Sequence, residues 1–437
     1  MRRAQLVIGG LAALGATAWL VKAGAEPSSA AAQLGGAPLD PAQAASEAAA
    51  FANLADQVKS PDAVGKAGTL ASIPAIDLDS IQLAGDHYTA KLADGRIATL
   101  TLEPDLQQLA EKLLDESRAP RGAIVAMAPD GRILALAGRR TEEPKGSRKG
   151  TFDWRLATEA WAPSASVFKL VTATALVQAG VDPDGRVCFH GGIRSVLEHN
   201  LRDDKRDSRC ESLAYGVAHS NNAILGKLAY QNLEPKTLEE SAKKLGWLSP
   251  LPELKGIAGA LALPSAKDLE FARAAAGFSN DNFGAKLSVL GGALVTATFA
   301  KAGEQPAPQL VAAIDGKPVP VPAAHRVISA DTARAVARMM VQTCDDGSAA
   351  KSFGRGREVK VAGKTGTLTK TDPFYMEHSW FVGFAPADKP EIIVSVLLGN
   401  PESWHLRGHE AARRLIDRVT NARLREQTST RRRGDRS

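Results

Sequence analysis

The sequence predicts an α/β (α+β) fold whose sheet is assembled from distant parts of the chain. Three observations predict it. Strand-type apolar runs stand early, at 122–137, and late, at 358–398, and the region between them is patterned mainly for helices. The early strands flank Pro129-Asp130-Gly131, a turn sequence suited to an antiparallel hairpin. Strands at both ends of a helical middle can share one core only by pairing across the chain.

The elements follow in order. Residues 26–68 are rich in Ala, Ser and Pro and read as a linker, with a short helix around 41–58. Residues 69–101 form a small strand-containing segment, with strands at 87–92 and 96–102 about Ala93-Asp94-Gly95. The main domain is placed at 102–424. In it, residues 104–118 set Leu106, Leu109, Ala110, Leu113 and Leu114 on one side of a helix. The hairpin strands 122–128 and 132–137 come next, and a polar loop, 139–149, leads to a helix over 167–178 that Gly180 stops. Further helices are expected at 213–230, 238–245, 266–277 and 287–302. Strands return at 358–369, 379–384 and 391–398, before a helix at 410–424 and a disordered basic tail at 425–437.

At 437 residues the chain holds one large or two modest domains, and 44% apolar residues describe an ordinary globular protein. The net charge of +6 is small for this length, and no nucleic-acid motif accompanies it. The N-terminus is an address label: Arg2 and Arg3 precede an apolar run over 6–21, then Ala23-Gly24-Ala25. Residues 1–25 thus read as a signal peptide or a membrane anchor, and the bulk of the chain is expected outside the cytoplasm. Export permits disulfides, and Cys188 and Cys210 bracket a polar loop where they can pair, leaving Cys344 free. His190 and His199 lie in that loop, yet their spacing fits no zinc pattern, so neither metal nor cofactor is expected. His405 and His409 lack the glutamate of a metalloprotease helix and read as surface residues.

The chemistry centres on Ser166 and Lys169. A serine on the first turn of a helix offers its own free N–H, and a lysine three residues on shares its face. A lysine held near a positive helix end and away from water deprotonates more easily and can take the serine's proton. The four-residue spacing recurs at Ser241/Lys244 and Ser348/Lys351, both read as solvated surface. Order singles out Ser166: only it precedes the chain's one Ser-x-Asn, Ser220-Asn221-Asn222, and then its one Lys-Thr-Gly, Lys364-Thr365-Gly366. Ser220 can pass a proton between Lys169 and a leaving amine, and the Asn222 amide can hold a substrate backbone. On the later strand Lys364 supplies charge, Thr365 and Thr367 can bind a carboxylate, and the bare faces of Gly363 and Gly366 let an extended peptide approach. The N–H groups of Ser166 and Thr367 are the natural pair for a developing oxyanion.

This set, with Pro163 to Lys169, Ala218-His219-Ser220-Asn221-Asn222, Ala362-Gly363-Lys364-Thr365-Gly366-Thr367 and Trp380-Phe381-Val382-Gly383-Phe384-Ala385-Pro386, resembles the transpeptidase domain of penicillin-binding proteins. The resemblance implies a five-stranded antiparallel sheet flanked by helices, beside a mostly helical subdomain. It implies that Ser166 attacks the carbonyl of a terminal D-Ala-D-Ala on a peptidoglycan stem peptide, releases D-alanine and passes the acyl group to a neighbouring amine. Capture of β-lactam antibiotics, a place in the cell envelope, and partners in cell-wall synthesis or division follow from it. Three departures stand out: Ser164 and Ala165 replace the glycine common before the nucleophile, the N-terminal pedestal is small, and no glycosyltransferase domain is expected. A serine β-lactamase is disfavoured, because no glutamate between Asn222 and Ala300 has an asparagine four residues on. A D,D-carboxypeptidase, which uses water as acceptor, stays open. A non-catalytic scaffold is opposed by the intact Ser166, Lys169, Ser220 and Lys364.

Overall fold

The computed structural model describes residues 73–141, 151–354, 357–371 and 375–434. The expected signal or anchor and the linker lie outside the described residues. Among the described residues no helix is long and apolar enough to cross a membrane.

In chain order, β1 (Gln82–Ala84), β2 (His87–Lys91) and β3 (Ile97–Leu100) lead into α1 (Pro104–Ser117). The hairpin β4 (Arg121–Met127) and β5 (Ile133–Arg140) and the two-residue β6 (Thr151–Phe152) follow. A helical stretch then holds α2 (Lys169–Gln178), α3 (Leu213–Ala218), α4 (Asn222–Asn232), α5 (Pro235–Lys244), α6 (Leu269–Ala275) and α7 (Val289–Ala300). After β7 (Val311–Ile314), β8 (Lys317–Pro318) and α8 (Ala330–Asp345), the chain closes with β9 (Ala362–Lys370), β10 (Met376–Ala385), β11 (Ile392–Asn400) and α9 (Gly408–Gly434).

The main sheet has the order β9-β10-β11-β4-β5-β6, antiparallel throughout. Its five long strands are those the resemblance implies, with β6 added at one edge. The late strands enter beside the early hairpin, Val396 opposite Ile124, so β11 and β4 lie at the centre. All nine residues of β11 are buried, because helices cover both faces of the sheet and its sequence is apolar at nearly every position. On one face α1 and α9 pack Leu113, Leu415 and Ile416 against Ile124, Phe381 and Val396. On the other lies α7, apolar all round and buried from Val289 to Phe299, against Val125, Val382 and Leu397.

Five sequence-based expectations change. The segment 69–101 is not separate: β3 pairs with β7, giving a second sheet of order β1-β2-β3-β7-β8, and Ile73–Ser437 form one unit. The helix expected over 213–230 is broken into α3 and α4. Ser220 turns into the left-handed region at φ 57°, and Asn221 Oδ1 caps α4 by accepting from the Ile224 N–H. Helix α8 was not expected, although Ser329 caps it and Ala333, Val336, Met339 and Met340 form its buried stripe. The last helix runs to Gly434 in place of a disordered tail, since no Gly or Pro interrupts 410–433. Ser241, read as surface, is buried on α5, while its spacing partner Lys244 is exposed.

Candidate active site

Ser166 sits on a single 3-10 turn, Ala165–Phe168, immediately before α2. That turn starts with Ala165 at φ 48°, the left-handed backbone a glycine adopts freely and an alanine only at a cost of about 1–2 kcal/mol. The alanine before the nucleophile therefore keeps the shape that a glycine would give, and neighbouring contacts hold it there. Gly277, at φ 90°, lies against it so closely that a Cβ would come 2.3 Å from the Ala165 carbonyl oxygen. From the strand side, Trp380 Nε1 donates to the Pro163 carbonyl at 2.8 Å. Gly366 faces the same turn, where a Cβ would stand 3.1 Å from the Ser164 carbonyl oxygen.

The last contact corrects an expectation. Glycines on β9 were expected to admit a substrate; their bare faces instead admit the protein. Gly366 receives the nucleophile turn, and Gly363 receives the Phe381 ring and Cys344 of α8. What β9 offers a peptide is its edge, since among the described residues it pairs only with β10.

Lys169 is fully buried, one turn along from Ser166. Its Nζ stands 2.6 Å from Ser166 Oγ, 2.7 Å from Asn222 Oδ1 and 2.6 Å from the Ala276 carbonyl oxygen. A neutral amine has two N–H groups and one lone pair. The two carbonyl oxygens take the N–H groups, which leaves the lone pair for the Ser166 hydroxyl. Burial, and secondarily the Lys364 charge, hold the Lys169 ammonium well below the ordinary lysine range. Asn222 is itself held from behind: its N–H donates to the Ile193 carbonyl at 2.7 Å and its Nδ2 to the Arg194 carbonyl at 2.7 Å.

Lys364, also fully buried, donates to Ser220 Oγ at 3.0 Å and to the Thr365 carbonyl at 2.9 Å. Burial brings its pKa down to about 7. Thr365 Oγ1 lies 2.6 Å from Ser348 Oγ. Ser166, Ser220, Asn222, Thr365 and Thr367 thus line one cleft of about 600 Å³, together with Arg194, Ser348, Leu368, Glu377, Arg407 and His409.

Several of these were missed in the sequence. Ser348 is exposed, as its surface reading required, yet the Ser348 N–H bond to the Ala218 carbonyl sets it beside Thr365. His409 was read as surface; it is partly buried at the start of α9, lines the cleft, and has its pKa lowered by burial. The Ala276 carbonyl carried no signal, because any residue type supplies it.

The disulfide loop is structural on its inner side. Cys188 and Cys210 are bonded, and buried Lys227 donates to the Cys188 carbonyl at 2.8 Å and to Asp207 at 2.7 Å. His190 contacts Asp207 at 2.6 Å and stacks on His199. No cluster suited to a metal occurs among the described residues.

Among the described residues, a mixed fold brings a serine–lysine pair, a second serine–lysine pair and an unpaired sheet edge to one cleft, the arrangement that serine acylation requires. Residues 122–419 match the penicillin binding protein transpeptidase domain, and the chain belongs to that family. It is 26% identical over 356 residues to the peptidoglycan D,D-transpeptidase PbpA of Mycolicibacterium smegmatis, covering 72% of this chain and 69% of the relative. It is 26% identical over 364 residues to stage V sporulation protein D of Bacillus subtilis, covering 78% of this chain and 55% of the relative. Among solved structures, penicillin-binding protein 3 from Mycobacterium tuberculosis complexed with aztreonam shares the fold, with TM-score 0.62, 22% identity, and 80% of this chain and 87% of that one covered. The ceftriaxone acyl-enzyme of penicillin-binding protein A from M. tuberculosis has TM-score 0.58 at 22% identity, with 74% of this chain and 80% of that one covered.

Proposed function

We propose that the chain is a peptidoglycan D,D-transpeptidase of the cell envelope, exported and tethered through its N-terminal segment. The observation that carries this reading is the Lys169 amine, buried, held on two sides by carbonyl oxygens, and 2.6 Å from Ser166 Oγ. The acyl donor is a stem peptide ending in D-Ala-D-Ala, laid antiparallel along the edge of β9 with its terminal carboxylate on Thr365, Thr367 and the Lys364 charge. Ser166 Oγ forms a bond to the carbonyl carbon of the penultimate alanine as its proton passes to Lys169. The oxyanion is met by the N–H groups of Ser166 and Thr367. As the C–N bond breaks, Ser220 relays the proton from Lys169 to the departing D-alanine amine. An amine of a neighbouring stem then attacks the ester, gives up a proton by the same route, and frees Ser166 Oγ. A β-lactam enters the first half of this cycle and stays as the acyl group.

The test is labelling with a fluorescent penicillin followed over hours by intact mass. A stable adduct on Ser166, absent in a folded Ser166→Ala variant, is expected. An adduct that decays quickly would move the assignment to a β-lactamase. Supplying D-Ala-D-Ala peptide with an acceptor amine separates the cross-linked product expected here from the plain hydrolysis of a carboxypeptidase.

A further inference from the structure

Ser348 brings to the cleft a hydroxyl to which the proposed reaction gives no part. It stands in the turn after α8, and backbone contacts on two sides fix it there. Its N–H donates at 2.9 Å to the carbonyl of Ala218, the last residue of α3 and two before Ser220. Gly347 lets the turn come that close, since a Cβ there would stand 2.4 Å from the same carbonyl oxygen. On the α8 side the Gly347 and Ala349 N–H groups donate to the Gln342 and Thr343 carbonyls at 2.9 and 3.0 Å. Ser348 itself is exposed and lines the cleft, with its Oγ 2.6 Å from Thr365 Oγ1. Among the described residues it is the one partner of the Thr365 hydroxyl.

Two hydroxyls joined by one bond share a single bridging hydrogen, so one O–H of the pair is left to donate elsewhere. Either order satisfies the pair alone. A carboxylate only accepts, and it polarises the chain of donors in front of it. We propose that Ser348 is a positioning residue for the substrate's terminal carboxylate: it donates to Thr365 Oγ1 and so aims the Thr365 O–H at that carboxylate. The inference rests on the acyl-transfer reading above, which puts the carboxylate at Thr365. Without Ser348 nothing among the described residues holds the Thr365 hydroxyl in one orientation, and its hydrogen is free to turn away. The relay serves an anion above all, because a hydrogen bond to a charged acceptor is the stronger kind. An ester in the same place draws little on it.

The test uses the purified full chain with benzylpenicillin and with its methyl ester, and the second-order rate of Ser166 acylation is followed by intact mass. The acid-to-ester ratio of the two rates is the readout. The wild type should favour the acid. Ser348→Ala keeps the backbone bonds that hold the turn; it should slow the acid about fivefold to tenfold and leave the ester nearly unchanged. Ser348→Thr, which restores a hydroxyl, should restore the ratio. On a Thr365→Val background, where the relay has already lost its middle member, adding Ser348→Ala should leave the ratio as it stands. A merely structural Ser348 would slow both compounds alike. A wild-type ratio near one, a ratio unchanged in Ser348→Ala or not restored by Ser348→Thr, or an equal fall on the Thr365→Val background would each overturn the role of Ser348 alone. No Ser166 adduct with either compound in the folded wild type would overturn the acyl-transfer reading and this inference with it.

Discussion

Lys364→Met should make the protein more stable at neutral pH while disabling it. The Lys364 amine is fully buried, and burial lowers its pKa from 10.5 to about 7. Between those values the unfolded chain holds the proton and the folded chain does not, so the stability of the wild type rises with pH across that window. Keeping the amine in the fold at pH 7 costs about 4 kcal/mol at 1.36 kcal/mol per pKa unit. Methionine has nearly the same shape and no charge. Against the gain stand two lost hydrogen bonds, to Ser220 Oγ and the Thr365 carbonyl, at about 1 kcal/mol each. The variant should therefore be more stable by about 2 kcal/mol at pH 7, an advantage that shrinks by about 2 kcal/mol on going to pH 9 as the wild-type penalty fades. Relief of the Lys169 site from the Lys364 charge acts in the same direction. Urea unfolding of both proteins at several pH values measures the gap, and penicillin labelling measures the loss of acylation. A gap that does not change with pH would refute a depressed Lys364, and with it the account of two lysines held deprotonatable by burial.

Three further outcomes are expected. The pH profile of penicillin acylation should reach its plateau well below the ordinary lysine range, because Lys169 is depressed; a rising limb near pH 10 would show that burial does not activate it. Gly277→Ala should slow acylation and cost about 2 kcal/mol or more, since its Cβ would meet the Ala165 carbonyl at 2.3 Å. Gly316→Ala, equally left-handed but with nothing within 4 Å, should lose about 1 kcal/mol and acylate normally; equal kinetic damage in both would discount the packing argument. Replacing Cys188 and Cys210 by serine should cost about 3 kcal/mol in denaturation and also slow acylation, because the loop they close carries the Ile193 and Arg194 carbonyls that hold Asn222.

Much of the site was legible because its chemistry depends on residue type. In the proposed reaction Ser166, Lys169, Ser220, Asn222 and Lys364 must be those residues to move protons and hold charge, and their order along the chain distinguished them from two other occurrences of the same spacing. The apolar periodicity of α1, α7 and β11 was equally plain, since burial on one or both faces leaves its mark at each position. The break at Ser220 was not, as the apolar pattern runs on through 213–230 and the turn is set by packing and by the Asn221 cap.

By itself, then, the sequence determined which groups the proposed reaction would draw on, most of the order of the elements, and that strands from both ends must share a sheet. The tertiary structure decided the rest. It alone makes the Ala276 carbonyl a partner of Lys169, turns the glycines of β9 toward the nucleophile turn and α8, and draws Ser348, Glu377, Arg407 and His409 into the cleft. These relations join residues up to hundreds of positions apart through backbone atoms and bare faces, which any sequence can supply and only packing can aim.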